Sequence, residues 1–315
     1  MRQHRKRRED PAGGLTIVGM ALLVALLTPG ARASPPIPVV ATFSILGDWV
    51  KRIGGDRVQV TTLVGANGDA HVYEPTPTAA RAVAGALAVF VNGLGFEGWL
   101  SRLIDASGSS AAVIVTSDGV NTLSGGFSRI GGAGSRSAQD VDPHAWHSVP
   151  NALIYVARIV AGLCRMDAQG CAGYEANASA YTRELRALDS EIRSTIAGIP
   201  EQARTVVTSH DSFGYYAHEY GVEFLTAQGF STESEASAAD VARLIDQIRK
   251  HQASGLFLEN INDPRLMQQV ARETGFSPGG ELYSDALSNE SGPAASYLEM
   301  MRNNTRTLRA GIQQR

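Results

Sequence analysis

The sequence predicts an α/β protein of two lobes, each a mostly parallel sheet flanked by helices, joined by one long rigid helix. Three observations support this fold class. Short apolar runs bounded by turn residues alternate with alanine-rich helical stretches in both halves of the chain. Between the halves, apolar residues recur every three or four positions over 174–196, which predicts a helix of about 35 Å. The 315 residues suffice for two domains.

The first 33 residues have the layout of a secretory signal peptide. A basic start is followed by an apolar run over 15–27 and by the small-residue cleavage pattern Ala31-Arg32-Ala33. An anchor spanning the membrane is the weaker interpretation, because a bilayer needs roughly 20 apolar residues. Cleavage after Ala33 would leave Ser34 first, with no nearby cysteine to carry a lipid. We therefore expect a mature protein secreted into the periplasm.

The charge of the remaining chain argues against one class of partner. Residues 1–33 hold six of the 28 basic residues but only two of the 31 acidic residues, so the remainder has a net charge of −7. A nucleic-acid-binding protein needs a basic surface. The sequence therefore predicts no nucleic-acid partner.

The first lobe is predicted to contain four strands with helices between them. The strands are expected at 39–43, 58–64, 88–92 and 112–116, and the helices at 45–53, 76–86 and 98–106. Residues 119–141 interrupt the pattern with a segment rich in glycine and serine, which predicts a flexible surface loop. A helix over 151–163 follows.

The second lobe repeats the alternation after Pro200, which ends the long helix. Strands are expected at 205–209, 223–225 and 255–258, and helices at 238–251, 264–273 and 294–308. The predicted organisation is a signal peptide at 1–33, an N-terminal α/β lobe at 34–172, a connecting helix at 173–199 and a C-terminal α/β lobe at 200–315.

The two cysteines, Cys164 and Cys171, both lie in the exported part of the chain. An even pair in an oxidising compartment predicts a disulfide bond. The alternative is a metal site with two thiolate ligands, which the six-residue gap without a nearby histidine disfavours.

Three histidines and one aspartate lie where a ligand site is expected. His71 follows the strand at 58–64, His144 follows the flexible loop, and His210 ends the strand that starts at 205. Asp285 follows another strand-like run, where capping a helix is its alternative role. Ligands of open α/β sheets bind at the carboxyl ends of strands, and three imidazoles with one carboxylate suit tetrahedral zinc. Such a site would draw two ligands from each lobe.

Six ordered motifs give the chain a family resemblance over nearly all of residues 38–312. They are HVYEPTP, NGLGFEGW, DPHAWHSV, SHDSFGYYAHEYGV, GFSTESEAS and LYSDALS. In this order they resemble the cluster A-I, or ZnuA/TroA-like, periplasmic solute-binding proteins of ABC importers. The resemblance implies two lobes bridged by a rigid helix, with His71, His144, His210 and Asp285 as metal ligands. It is nearest to zinc-type members with three histidines and one aspartate, whereas manganese-type members often have glutamate at the position of His210.

Other residues near these motifs have more modest expected roles. Glu74 is interpreted as supporting the site, with direct coordination as the alternative, and Asp142 and Asp211 are candidates to orient the histidine rings. The loop over 119–141 has no histidine, although many zinc-type members carry a metal-binding loop there. His147 is expected at the surface.

The predicted function is the capture of zinc, as transported ligand, and its delivery to the membrane subunit of an ABC permease. A periplasmic metallochaperone is a further candidate partner, and a monomer is expected. The alternatives are a manganese or iron receptor of the same family and, from another class, a secreted zinc hydrolase. A hydrolase needs an open metal position and a general base, and the HExxH signature is absent, so no enzyme activity is predicted.

Overall fold

The computed structural model describes residue 1, residues 35–124 and residues 140–312. Residues 2–33 of the predicted signal peptide and most of the predicted flexible loop lie outside the described residues. Ser124, inside the predicted loop, forms an isolated antiparallel bridge with Val141 at its end.

The first half of the chain forms a four-stranded parallel sheet flanked by helices. Its strands are β1 (Ile37–Phe43), β2 (Val58–Val64), β3 (Ala88–Val91) and β4 (Ala112–Val115), and the helices between them are α1 (Ser44–Gly54), α2 (Pro77–Gly85) and α3 (Leu100–Ser107). The strand order is β2-β1-β3-β4. Every pairing is parallel, as the alternation of strands and helices requires. The four strands predicted for this half are confirmed within two residues at each end.

Local sequence signals fix the starts of several helices. The Thr76 hydroxyl accepts the N–H of Ala79 at 3.1 Å and Pro77 opens α2, a favourable N-cap followed by a favourable first residue. In the same way the Ser148 hydroxyl caps α4 (Val149–Met166). These signals place the helix starts within one turn of the predicted positions.

The second half of the chain contains a three-stranded and a two-stranded parallel sheet. Its strands are β5 (Thr205–Thr208), β6 (Glu223–Thr226), β7 (Gly255–Leu256), β8 (Leu258–Glu259) and β9 (Glu281–Leu282), and its helices are α6 (Gly214–Tyr220), α7 (Ala238–Lys250), α8 (Arg265–Thr274) and α9 (Tyr297–Ile312). The orders are β6-β5-β7 and β8-β9.

The single strand expected at 255–258 is divided in two at Phe257. The N–H of Phe257 still donates to Val207 of β5, but the next N–H, of Leu258, donates to Gly280 beside β9. The Phe257 ring is fully buried at the position where the strand changes partner. It packs closely against Gly311, where an added Cβ atom would lie 2.5 Å from the ring. The apolar run therefore continues through the division, and the sequence pattern does not reveal it.

The predicted long helix is α5 (Cys171–Ala197), which packs against α1, α4 and α9. Its buried residues recur every three or four positions, as the periodicity predicts. They are Tyr174, Tyr181, Leu185, Leu188, Ile192 and Ile196. The main apolar core extends from the first sheet through α5 to α9, and a smaller core lies among β5, β7, α7 and α8. Because α9 also contacts α1, the C-terminal helix reaches across to the first half, and the predicted lobe boundaries at 172 and 199 stay predictions.

A disulfide bond joins Cys164, in the last turn of α4, to Cys171, the first residue of α5. Beside it, the Arg57 guanidinium forms two hydrogen bonds with Asp167 in the turn between the helices. Both sulfur atoms are used in this bond, so neither is available as a thiolate metal ligand.

We expect reduction of this bond to lower the free energy of unfolding by about 2–3 kcal/mol, the entropy of closing a short loop in the unfolded chain. Urea unfolding with and without reductant measures the change. A variant with both Cys164→Ser and Cys171→Ser should be insensitive to reductant and about as stable as the reduced protein. Equal stability of the oxidised and reduced wild type would contradict the expectation.

Candidate metal centre

The four predicted ligands come together at one buried point between the carboxyl ends of strands. His71 lies in the loop after β2, His144 precedes a short 3-10 turn, His210 follows β5 by two residues and Asp285 follows β9 by three. His71 is 6% exposed and the other three are fully buried. One side-chain ligand atom from each residue lies within 4.8 Å of those of the other three.

The spacing of these atoms matches that of ligands around one ion. The Nε2 atoms of His71 and His144 are 3.3 Å apart. Oxygens of Asp285 lie 3.1 Å from Nε2 of His71, 3.3 Å from Nε2 of His210 and 3.7 Å from Nε2 of His144. A tetrahedron with metal–ligand bonds of about 2.0–2.1 Å has edges of about 3.3 Å. The side chains therefore already have the spacing that a first-row divalent ion requires.

Three buried polar atoms of this arrangement have no hydrogen-bond partner in the part of the chain that the structure describes. They are the two carboxylate oxygens of Asp285 and Nε2 of His210, for which the described residues offer no hydrogen-bond partner of acceptable geometry. Buried polar atoms without partners are costly and uncommon in folded proteins. A cation at the common centre would satisfy all three at once, so the residues fit a metal ion.

Two carboxylates fix the orientation of two of the rings. Nδ1 of His144 lies 2.8 Å from Asp142, and Nδ1 of His210 lies 2.7 Å from Glu259. Because an ionised carboxylate only accepts, each Nδ1 carries the proton and each Nε2 is directed to the centre. Asp142 thus has its predicted role. The acceptor for His210 is Glu259, a residue to which no sequence pattern assigned this role.

The Glu259 carboxylate also organises the backbone around His210. One of its oxygens accepts the N–H groups of Ser209 and His210, at 2.8 and 3.0 Å, and the Ser209 hydroxyl at 2.5 Å. Glu259 is the last residue of β8, so the strand that pairs with β9 positions both His210 and, through β9, the segment of Asp285. The signal in the sequence was a single acidic residue at the end of an apolar run.

The environment of the site shifts the pKa values of His144 and His210 in opposite directions. Burial holds the pKa of His144 well below its usual range, so this ring is neutral. Burial alone would also lower the pKa of His210, but the carboxylates of Glu259 and Asp285 outweigh it and raise that pKa well above the usual range. Burial alone would raise the pKa of Asp285, but the positive charge of His210 beside it holds that pKa well below the usual range, so Asp285 is ionised.

Aromatic side chains and one carbonyl hold the loop of His71. The Phe96 ring meets the His71 ring edge to face at 4.8 Å, and the indole N–H of Trp99 donates to the Ala70 carbonyl at 2.7 Å. The His71 N–H donates to Asp69 at 2.9 Å. These contacts fix the ring on the side of the first sheet.

A buried hydrogen-bond network holds the backbone next to His144. The Asn92 side chain donates to the Pro143 carbonyl at 2.9 Å and accepts the Tyr155 hydroxyl at 2.6 Å. The Asn92 N–H donates in turn to the buried carboxylate of Glu97 at 2.6 Å. Both residues lie in the NGLGFEGW motif, whose contribution is therefore to support ligands that lie elsewhere in the chain.

The segment of Asp285 is bonded to the first half of the chain. The Trp146 indole donates to the Ser284 carbonyl at 3.0 Å, and the Leu287 N–H donates to the Ser44 hydroxyl at 2.9 Å. The Asn67 N–H donates to the Leu287 carbonyl at 2.9 Å. The backbone is thus hydrogen-bonded to the first half of the chain both before and after Asp285, which was predicted as a ligand from the second lobe.

The remaining candidates lie outside the centre. Glu74 is exposed and is not part of the converging group. His147, expected at the surface, is fully buried, because the short turn over Ala145–His147 directs it against the Phe213 ring at 4.6 Å; that expectation was wrong. Burial lowers the pKa of His147 to about 3, so this ring is neutral.

Comparison with known proteins identifies the family. The protein family described as the zinc-uptake complex component A, periplasmic, matches residues 39–311. The chain belongs to this family. Its members are solute-binding proteins of ABC transporters and not enzymes.

Characterised relatives and solved structures are similar over most of their length. The manganese-binding lipoprotein MntA of Halalkalibacterium halodurans is 31% identical, over 93% of this chain and 97% of the relative. Among solved structures, the periplasmic zinc binding protein TroA of Treponema pallidum has a TM-score of 0.81 and 27% identity, covering 89% of this chain and 99% of that one. The Mn-bound periplasmic metal binding protein of Candidatus Liberibacter asiaticus has a TM-score of 0.77 and 31% identity, covering 87% and 98%. These likenesses establish the α/β fold with parallel sheets flanked by helices.

Proposed function

We propose that this protein captures a zinc ion outside the cytoplasm, through His71, His144, His210 and Asp285, and delivers it to the membrane permease of an ABC importer. The convergence of four buried ligand atoms with the spacing of a tetrahedral shell carries the proposal. Family membership supports the delivery step, since a solute-binding protein acts on a permease. The predicted metallochaperone partner and the monomeric state stay predictions.

The donor set supports zinc over manganese. Three imidazole nitrogens and one carboxylate suit a borderline ion such as zinc, whereas manganese is better served by oxygen ligands. The two further carboxylates at the site, Asp142 and Glu259, contact the Nδ1 atoms of the rings instead of adding oxygens to the centre. MntA is named manganese-binding and TroA zinc binding, and the Liberibacter metal binding protein has a manganese-bound structure, so relatives of this chain bind either ion.

The location follows from the predicted signal peptide. MntA is named a lipoprotein, which needs a cysteine to carry the lipid. Both cysteines of this chain lie far from residue 33 and are joined to each other. We therefore favour a protein released into the periplasm after cleavage at Ala33.

Competition titration of the metal-free protein with zinc and manganese tests the cargo. We expect zinc to displace manganese at equal concentrations, with one ion bound per chain. The metal content of protein purified from the periplasm without added metal gives an independent check. Preference for manganese in the titration would show that the cargo, although not the receptor function, is assigned wrongly.

Zinc binding near neutral pH should release a proton from His210, because this ring must lose its proton to become a ligand. His144 is already neutral and Asp285 already ionised, so neither contributes. Since the pKa of His210 is raised, the affinity should begin to fall at a pH above the usual histidine range and continue to fall as the pH decreases. Titration calorimetry in buffers of different ionisation enthalpy measures the proton. Binding heats that do not depend on the buffer would contradict this assignment.

A further inference from the structure

One carboxylate outside the ligand set connects the two halves of the site. One oxygen of Asp69, in the loop after β2, accepts the His71 N–H at 2.9 Å. Its other oxygen accepts the hydroxyl of Thr232, in the connection after β6, at 2.6 Å. A single side chain thus both positions a ligand from the first sheet and binds a residue attached to the second.

The segment that carries Thr232, residues 228–232, is itself fixed to the segment of His210. The N–H of Gln228 donates to the Ser209 carbonyl at 3.0 Å, and the N–H of Asp211 donates to the Gly229 carbonyl at 3.1 Å. Within the same segment, the Phe230 ring lies 6.4 Å from the His144 ring. Residues 228–232 therefore extend from the backbone beside His210, past the ring of His144, to the carboxylate that accepts the His71 N–H.

This geometry gives the Thr232 hydroxyl a role in retaining the ion. If the halves separate to release metal, the Asp69–Thr232 bond must break, although neither residue is a ligand. We infer that Thr232 is a positioning residue that latches residues 228–232 over the site and slows release of the bound ion. The inference rests on the proposed function, because it concerns the metal bound by the four ligands.

The size of the effect follows from the type of bond. A hydroxyl that donates to a carboxylate forms a charge-assisted hydrogen bond, stronger than one between neutral groups. Loss of a single such bond that exists only in the closed form should accelerate release about tenfold. Capture should change little, because the ion first meets the site while the latch is open.

Release of zinc from the loaded protein into excess chromogenic chelator, followed by stopped flow, tests the latch. Thr232→Val keeps the shape of the side chain and removes the hydroxyl, so it should release zinc about tenfold faster. Thr232→Ser restores the hydroxyl and should remain within about twofold of the wild type. Ser231→Ala is the matched control, since the Ser231 hydroxyl accepts the Glu233 N–H inside the same connection and does not cross to Asp69.

The outcomes separate the latch from simpler explanations. The inference would be overturned if Thr232→Val released zinc at the wild-type rate. It would also be overturned if Ser231→Ala accelerated release equally, or if Thr232→Ser did not restore slow release. The thermal stability of the metal-free variants should match that of the wild type, which distinguishes a latch from a general loss of structure. Wild-type protein that binds no zinc at all would instead refute the proposed function, and the latch with it.

Discussion

Replacement of Asp285 by alanine is expected to weaken zinc binding by more than about 100-fold. Loss of a residue that only orients a metal ligand typically costs 10–100-fold in affinity, and loss of a ligand itself should cost more. Asp285 is the only proposed anionic ligand, and its oxygens lie 3.1–3.7 Å from the Nε2 atoms of all three histidines. Its removal leaves three neutral nitrogens and no charge to compensate the ion.

Asp285→Asn separates the contribution of charge from that of shape. Asparagine keeps one carbonyl oxygen for the ion but removes the charge, so its affinity should fall between those of alanine and the wild type. Glu74→Gln is the matched control, because Glu74 is an exposed acid close to His71 that does not join the converging group. Chelator competition measures all four proteins, and urea unfolding confirms that each is folded without metal. Wild-type affinity in Asp285→Ala would mean that zinc binds elsewhere.

The family resemblance named the four residues that meet at the site, and the strand pattern accounts for the position of two of them. His71 follows β2 and His210 follows β5, and the carboxyl ends of parallel strands are where ligands of α/β sheets bind. β5 is largely buried, whereas β2 is the edge strand of its sheet and buries only Val58 and Val64. β2 was predicted at 58–64 and is found there, because its apolar pattern has sharp boundaries on both sides. A pattern of this kind predicts the strand because it does not depend on contacts distant in sequence.

Features that depend on contacts distant in sequence could not be predicted in this way. The strand division at Phe257 depends on which neighbour each N–H finds, and the run at 255–258 looks continuous. Glu259 supports His210 across 49 positions of sequence, so no local pattern identifies it as the partner of that ring. The burial of His147 depends on the Phe213 ring that covers it.

The carboxylate of Glu97 is another such feature, and it supports a strained turn. Glu97 is 8% exposed and accepts three hydrogen bonds, from the Thr42 hydroxyl at 2.7 Å and from the N–H groups of Asn92 and Gly93 at 2.6 and 3.0 Å. Within the turn that it closes, Leu94 has a φ of 56°, in the left-handed region that side chains with a Cβ rarely adopt. The turn presents Phe96 to His71 and Asn92 to the Pro143 carbonyl.

Glu97→Ala should therefore destabilise the metal-free protein by about 3–5 kcal/mol, since it leaves buried donors without an acceptor and removes the support of the turn. Glu97→Gln should cost about 2 kcal/mol, because an amide offers one acceptor oxygen where the carboxylate offers two. Burial raises the pKa of Glu97, so the charged form is disfavoured in the fold, and the neutral amide regains part of that cost. Urea unfolding of the metal-free proteins measures both values.

The same substitutions should also weaken zinc binding, although Glu97 is not in the ligand set. Release of the turn frees Asn92 from its position against Pro143, the residue before His144, and removes Phe96 from the face of His71. Misplaced supports of metal ligands cost about tenfold or more in affinity, so we expect a loss of about that size in Glu97→Gln. Glu273→Gln, at an exposed position near the end of α8, should change neither stability nor affinity. Wild-type stability of Glu97→Ala would show that the left-handed turn forms without the carboxylate. Lower stability with wild-type zinc affinity would show that Glu97 stabilises the fold but does not position the metal ligands.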